Sequence, residues 1–162
     1  MAATLSKITV EDFDDFITLI HALADFEKLD PPAPDAIERL YHDAFSETPR
    51  YEGFLVRNDA GVNIGYCIIF ETYSSFLAKP TLYLEDIFIM PEHRRLGYAH
   101  DTMKALAKIA VSRNCGRMEW QVLDWNENAI AFYQKIGAVH QNEWHFYRLA
   151  EQQLHQLVGT HE

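Results

Sequence analysis

The feature that most restricts the fold lies between Thr81 and Ala110, where "TLYLEDIFIMPEHRRLGYAHDTMKALAKIA" changes its period within a few residues. Thr81 to Met90 is an apolar run of strand length, and Pro91 stops it because proline cannot donate to a ladder. Beyond the loop, Ala99, Met103, Leu106 and Ala110 recur at helical spacing, with His100, Asp101, Lys104 and Lys108 mostly elsewhere. A strand that feeds a helix through a short loop commits the chain to a layered, mixed α/β architecture.

The remaining segments extend that alternation. Ala3 to Ile8 is a candidate short strand, and Thr9 a candidate N-cap with Asp12 three residues later. Phe13, Phe16, Ile17, Ile20 and Leu23 follow at helical spacing until Pro31, Pro32 and Pro34 end the pattern. Asp35 to Phe45 reads as a second helix through Ile37, Leu40, Tyr41 and Phe45. Tyr51 to Arg57 and Ile64 to Thr72 are strands flanking Asn58-Asp59-Ala60-Gly61, a hairpin signal. Arg117 to Leu123 is a further strand, Asn128 to Gly137 a helix with glycine at the C′ position, and Trp144 to Leu149 a last strand before a short amphipathic tail. With no repeat, low-complexity tract or linker, residues 1–162 are expected to form a single domain.

Charge narrows the function classes. Lysine and arginine total 14 against 24 acids, a net charge of −10. A non-specific nucleic-acid binder carries the opposite balance, whereas an acidic protein suits cationic substrates. The N-terminus lacks the basic and apolar regions of a secretory signal, and no apolar run approaches the roughly 20 residues of a membrane span. A cytoplasmic protein that engages neither membrane nor nucleic acid is expected. Cys67 and Cys115 show no paired spacing and read as inert buried thiols. His93 and His100 flank the loop at Arg94, but no helical HExxH occurs, so no metal is expected.

Arg94 and Arg95 stand just before Gly97 at the mouth of a helix. A helix N-terminus carries unpaired N–H groups and partial positive charge, glycine lets a ligand approach the backbone, and guanidinium groups match phosphate oxygens. Small Ala99 keeps the first turn uncrowded. These residues suit a phosphate or pyrophosphate, although a solvated basic loop at a helix start would carry them too. The sequence has neither a GK[ST] loop nor GxGxxG.

Arg94-Arg95-Leu96-Gly97-Tyr98-Ala99 resembles the [RQ]-x-x-G-x-[GA] signature of the GNAT superfamily of N-acetyltransferases. "YLEDIFIMPEHR" is similar to the fourth strand of that family, and "WNENAIAFYQKIGA" to the segment that ends its acetyl-CoA site. Those two blocks, with "LIHALADFEKLD" and Trp144, look most like the diamine group, which includes spermidine/spermine and thialysine acetyltransferases. Ser74 and Phe76 depart from the polyamine-specific pattern, in which an acid and a tryptophan are expected.

The resemblance implies a central mixed, mostly antiparallel twisted sheet of six to seven strands flanked by about four helices. It implies transfer of an acetyl group from acetyl-CoA to a primary amine of a small cationic substrate, by direct attack. The alternatives are acetylation of protein lysines or N-termini, and a non-catalytic acetyl-CoA-binding module. On the cofactor side it points to Ile87, Phe88 and Ile89 for the pantetheine arm, and to Arg94 through His100 for the pyrophosphate. Ala129 and Phe132 complete that side, and Asn126 would bond the cofactor or cap the last helix. Tyr133 is the candidate acid for the leaving thiolate, or else an ordinary core aromatic. Glu85 is the candidate substrate carboxylate or base. Phe26, Glu27 and Asp30 would close over the amine, with Glu119, Trp120 and Gln121 on the facing strand. Relatives of this group pair through their last strands, so a homodimer is expected.

Overall fold

A computed structural model describes residues 2–159. Five strands form one sheet in chain order: β1 (Thr4–Lys7), β2 (Glu52–Arg57), β3 (Asn63–Ser74), β4 (Lys79–Ile89) and β5 (Arg117–Trp120). Neighbours are antiparallel except β4 and β5, which run parallel because α3 (Tyr98–Ser112) lies between them in the chain. The other helices are α1 (Phe13–Glu27), α2 (Pro34–Phe45), α4 (Glu127–Lys135) and α5 (Glu151–Val158), with a 3-10 turn at Pro91–His93. Two compact units are distinguished, one ending at Gln121 and holding the sheet and α1 to α3, the other starting at Val122.

Local chemistry accounts for the turns. The Asn58 side-chain oxygen accepts from Ala60 N and Val62 N, both at 3.0 Å, and Gly61 takes a φ of 75°, closing the hairpin between β2 and β3. At the start of α1 the expected cap is reversed. Asp12, not Thr9, occupies the N-cap position, and its Oδ2 accepts from the Thr9 backbone at 3.0 Å and from the Thr9 hydroxyl at 3.1 Å. The helix therefore begins three residues later than a Thr9 cap implies.

Two apolar clusters cover the two faces of the sheet. On one, Phe16 and Leu19 of α1 pack on Leu55, Tyr66, Ile68 and Phe88; on the other, Val56, Ile64 and Ile89 pack on Tyr98 of α3. Phe16 is fully buried, and burial of one such side chain contributes roughly 1.5–3 kcal/mol. Beneath them β3 and β4 run so close that a Cβ at Gly65 would strike the Phe88 carbonyl oxygen.

One irregularity in that pairing matters for the site. Ile68 stands opposite Asp86, but Ile69 stands opposite Leu84, so Glu85 is an extra residue on β4. Such a bulge breaks the two-residue alternation of faces. Leu84 shares the face of Ile69, whereas Asp86 and Phe88 share that of Ile68 and Tyr66, on the α1 side.

The sheet has five strands rather than six or seven, and the α-helices number five rather than about four among the described residues. The difference lies at the end of the chain. Residues 144–149 form no strand, and Trp144, Phe146 and Tyr147 are 78%, 65% and 88% exposed. Apolar composition promotes a strand only where a ladder partner is at hand. The amphipathic tail forms α5, the strand expected to Leu123 stops at Trp120, and the helix expected to Gly137 ends at Lys135 with Gly137 at φ 89°.

Candidate active site

The acids come together where β4 bulges. Asp86 is half-buried, and the Tyr66 hydroxyl donates to its Oδ2 at 3.1 Å. Burial raises the Asp86 carboxyl to about 6; the Tyr66 hydrogen bond opposes the shift, and the charges of Glu85 and Glu27 add to it. Glu27, half-buried at the last turn of α1, is itself raised by burial. Glu85, singled out by the sequence, is exposed at the bulge, while its neighbour Asp86, which sequence reasoning missed, is the carboxylate turned toward α1. Asp30 is exposed in the loop after α1.

Glu119 and Trp120 on β5 are half-buried, and Gln121 is exposed just past the strand. Glu119 is opposite Tyr83 and pairs with the Arg117 guanidinium at 2.6 Å. The Tyr83 hydroxyl is pushed up by burial and by the Glu85 and Glu119 charges, which ties Glu119 to the same acidic surface.

The strands beside this surface do not run together to their ends. β5 stops at Trp120, opposite Leu84, so beyond the unpaired Glu85 the residues Asp86 to Ile89 pair with β3 alone within the sheet. Ile87 is half-buried, while the side chains of Phe88 and Ile89 are buried in the two clusters, leaving their backbone as the polar surface of that stretch.

Beyond Ile89 the loop turns sharply. Arg95 takes φ 62° and Gly97 φ 88°, the left-handed region, and Gly97 is the N-cap of α3, so no side chain caps the first turn. Arg95, Leu96 and His100 are exposed and Ala99 half-buried, whereas the Tyr98 ring is buried against Val56, Ile64 and Ile89. Arg94 turns back on its own strand: Nε donates to the Ile89 carbonyl at 2.8 Å, and the guanidinium lies 4.5 Å from the Phe26 ring centre and 5.4 Å from that of Phe88. This contact ties the loop to the Phe26–Glu27 end of α1.

In the second unit, Asn126 caps α4 by accepting from Ala129 N at 3.3 Å. Tyr133 is half-buried on α4, with the Phe132 ring 5.5 Å away. Among the described residues no helix is long and apolar enough to cross a membrane, and no three His, Cys, Asp or Glu side chains group as a metal site. Cys67 is buried and Cys115 half-buried, and burial raises both thiols.

An uncapped helix mouth after a glycine, next to a strand whose partner stops short, defines a class. The acetyltransferase (GNAT) family model matches residues 18–138, and the chain belongs to that family of acyltransferases, whose members use acetyl-CoA as co-substrate. The resemblance read from residues 94–99 and their flanking blocks therefore holds. Its relatives include the thialysine N-epsilon-acetyltransferase of Bos taurus, 30% identical and covering 91% of this chain and 92% of the relative. The L-ornithine N5-acetyltransferase of Arabidopsis thaliana is 46% identical over 105 residues, or 64% of this chain and 46% of the relative. Among solved structures, an integron cassette protein from the mobile metagenome of V. cholerae matches with a TM-score of 0.82 at 23% identity, covering 99% of both chains.

Proposed function

We propose that this protein moves the acetyl group of acetyl-CoA to a primary amine of a small cationic molecule: a polyamine, a diamine, or a lysine-like amino acid such as thialysine or ornithine. The observation that carries this reading is the half-buried Asp86 carboxylate facing the charges of Glu27 and Glu85 beside the open edge of β4. Amines of lysine type are protonated near neutral pH, their reference pKa being about 10.4, so an anionic recess both attracts the acceptor and offers a route for its proton. The names of the bovine and Arabidopsis relatives point to acceptors of the same chemistry.

In this reading the amine gives up a proton through Asp86 or an intervening water. Its nitrogen attacks the thioester carbonyl, the C–N bond forms, and the C–S bond breaks with its electron pair on sulfur. Tyr133 supplies the proton for that thiolate, and the second proton, released by the acylated nitrogen as the amide forms, restores the tyrosine through solvent. The backbone of Ile87 to Ile89 bonds the pantetheine arm, and the mouth of α3 with Arg95 takes the pyrophosphate. Glu85, Glu27, Asp30 and Glu119 surround the acceptor, with Phe26, Trp120 and Gln121 beside it. The same reading makes the protein a homodimer joined through residues 144–149, whose exposed aromatic side chains support a seam of that kind; a monomer mass in light scattering would reject it.

Thiol release from acetyl-CoA, measured with spermidine, thialysine, ornithine, lysine, an aminoglycoside and a lysine peptide, tests the assignment. Turnover with the small amines supports it. Turnover with the peptide alone makes the protein a protein acetyltransferase, and tight acetyl-CoA binding without any turnover makes it a binding module.

The two arginines are expected to separate. Arg95→Ala weakens acetyl-CoA binding at least tenfold in calorimetry with an unchanged melting temperature, since a charge-assisted contact is worth roughly 1.5–3 kcal/mol. Arg94→Ala also lowers the melting temperature, because it removes a backbone hydrogen bond and two ring contacts. Equal melting losses in the two variants would contradict the division.

A further inference from the structure

Tyr66 lies on β3 with no exposed surface, its ring packed among Phe16, Phe88 and the rest of the α1-facing cluster. A phenylalanine would fill that space as well. The hydroxyl is what the packing does not explain, and it donates to Asp86 Oδ2 at 3.1 Å. Resting on the reading of Asp86 given above, we infer that Tyr66 is a positioning residue whose buried hydroxyl holds Oδ2 and turns Oδ1 of Asp86 to the amine acceptor.

The groups around this pair make the role physical. From β3, Tyr66 reaches the carboxylate, while Cys67 turns to the opposite face, its thiol raised by burial and by the Asp86 charge. Glu27 approaches from α1 and Glu85 from β4 itself, both of which disfavour the ionised form. α1 also carries His21, whose Nε2 is buried with no partner among the described residues, and the Arg94 guanidinium lies over Phe88 and Phe26. Of the influences on Asp86, the Tyr66 hydrogen bond is the one that favours the carboxylate. A donor sealed from water keeps its strength, because no solvent competes for the acceptor. A carboxylate fixed through one oxygen presents the other in a defined direction.

The direct test is the titration of the Asp86 carboxyl carbon by nuclear magnetic resonance in the full chain, with Asp86→Asn assigning the signal. In Tyr66→Phe the midpoint moves up by about one pH unit, the loss expected for one hydrogen bond to a charged acceptor. Fluorotyrosine placed at position 66, a stronger donor of the same shape, moves it down. Midpoints unmoved in both variants overturn the inference. Acetyl transfer to ornithine and spermidine then reads the consequence: the acidic limb of kcat/KM follows the midpoint upward in Tyr66→Phe while Kd for coenzyme A is unchanged. A purely structural Tyr66 would lower activity at every pH and leave the limb in place, which also overturns the inference. If Asp86→Asn keeps the wild-type limb, the reading of Asp86 as the amine's carboxylate fails, and so does the role given to Tyr66 toward the acceptor. The titration still decides whether the hydroxyl holds the carboxylate.

Discussion

Tyr133→Phe is expected to lower kcat by 10²–10⁴-fold and to leave acetyl-CoA binding unchanged. The substitution removes one hydroxyl and keeps the ring that packs beside Phe132 on α4. If that hydroxyl protonates the departing thiolate, its absence raises the barrier by roughly 3–5 kcal/mol, at about 1.36 kcal/mol per decade. A thioester sulfur accepts hydrogen bonds poorly, so the ground state gains nothing from the donor and Kd does not report its loss. Single-turnover rates with a good amine acceptor check the point. A variant that keeps most of its turnover shows that Tyr133 only packs, and that the thiolate takes its proton from water or from the amine.

Asp86→Asn is expected to make the protein a worse enzyme and a more stable one. If Asp86 is the amine's anionic partner, kcat/KM for the amine falls at least 100-fold, the range for loss of a general base. The stability change follows from the same carboxyl. Its value rises from an ordinary 3.8 to about 6 on folding, so between those limits the folded state holds a proton that the unfolded chain has released. Stability contributed by this group therefore falls as the pH rises through that window. Above it, the ionised side chain costs up to about 3 kcal/mol, two pKa units at 1.36 kcal/mol each. Asparagine removes that cost and still accepts from Tyr66. Its melting temperature should exceed that of the wild type by several degrees at pH 7.5 and match it at pH 4. A variant no more stable at pH 7.5 would show that Asp86 is not penalised in the fold.

The parts of the fold that were legible in the sequence are those that local chemistry decides. The Asn58–Gly61 hairpin rests on one side-chain oxygen and one left-handed glycine, and the step from β4 to α3 on a proline, a glycine and a change of period. What escaped depends on partners distant in the chain. Counting alternate residues forward from Thr81 sets Glu85 with Tyr83 on the α1 side, and only the pairing of β4 with β3 reveals the extra residue that turns Asp86 there instead. The fate of Arg94 is of the same kind, because nothing near position 94 announces that Phe26 will be beneath it. The aromatic run at residues 144–149 reads as a strand by composition, but the described chain offers it no ladder. A signal for Asp86 did exist, since two adjacent acids in an apolar strand turn to opposite faces and one of them must meet the packed side.

The early end of β5 sets a length as well as an opening. Glu85 to Ile89 run on past it, and at about 3.3 Å per residue five residues make an edge roughly 16 Å long. Its two ends differ in sign, with Glu85 and Asp86 at one and the Arg95–Gly97 turn at the other. A co-substrate lying along this edge is measured like a part against a gauge. In the proposed function its anionic end lies at the basic turn, and its reacting carbon then falls beside the acids only if the arm between them has the right reach. If the co-substrate lies there as proposed, five residues of backbone fix both the direction of the acyl carrier and the length of carrier that can be used.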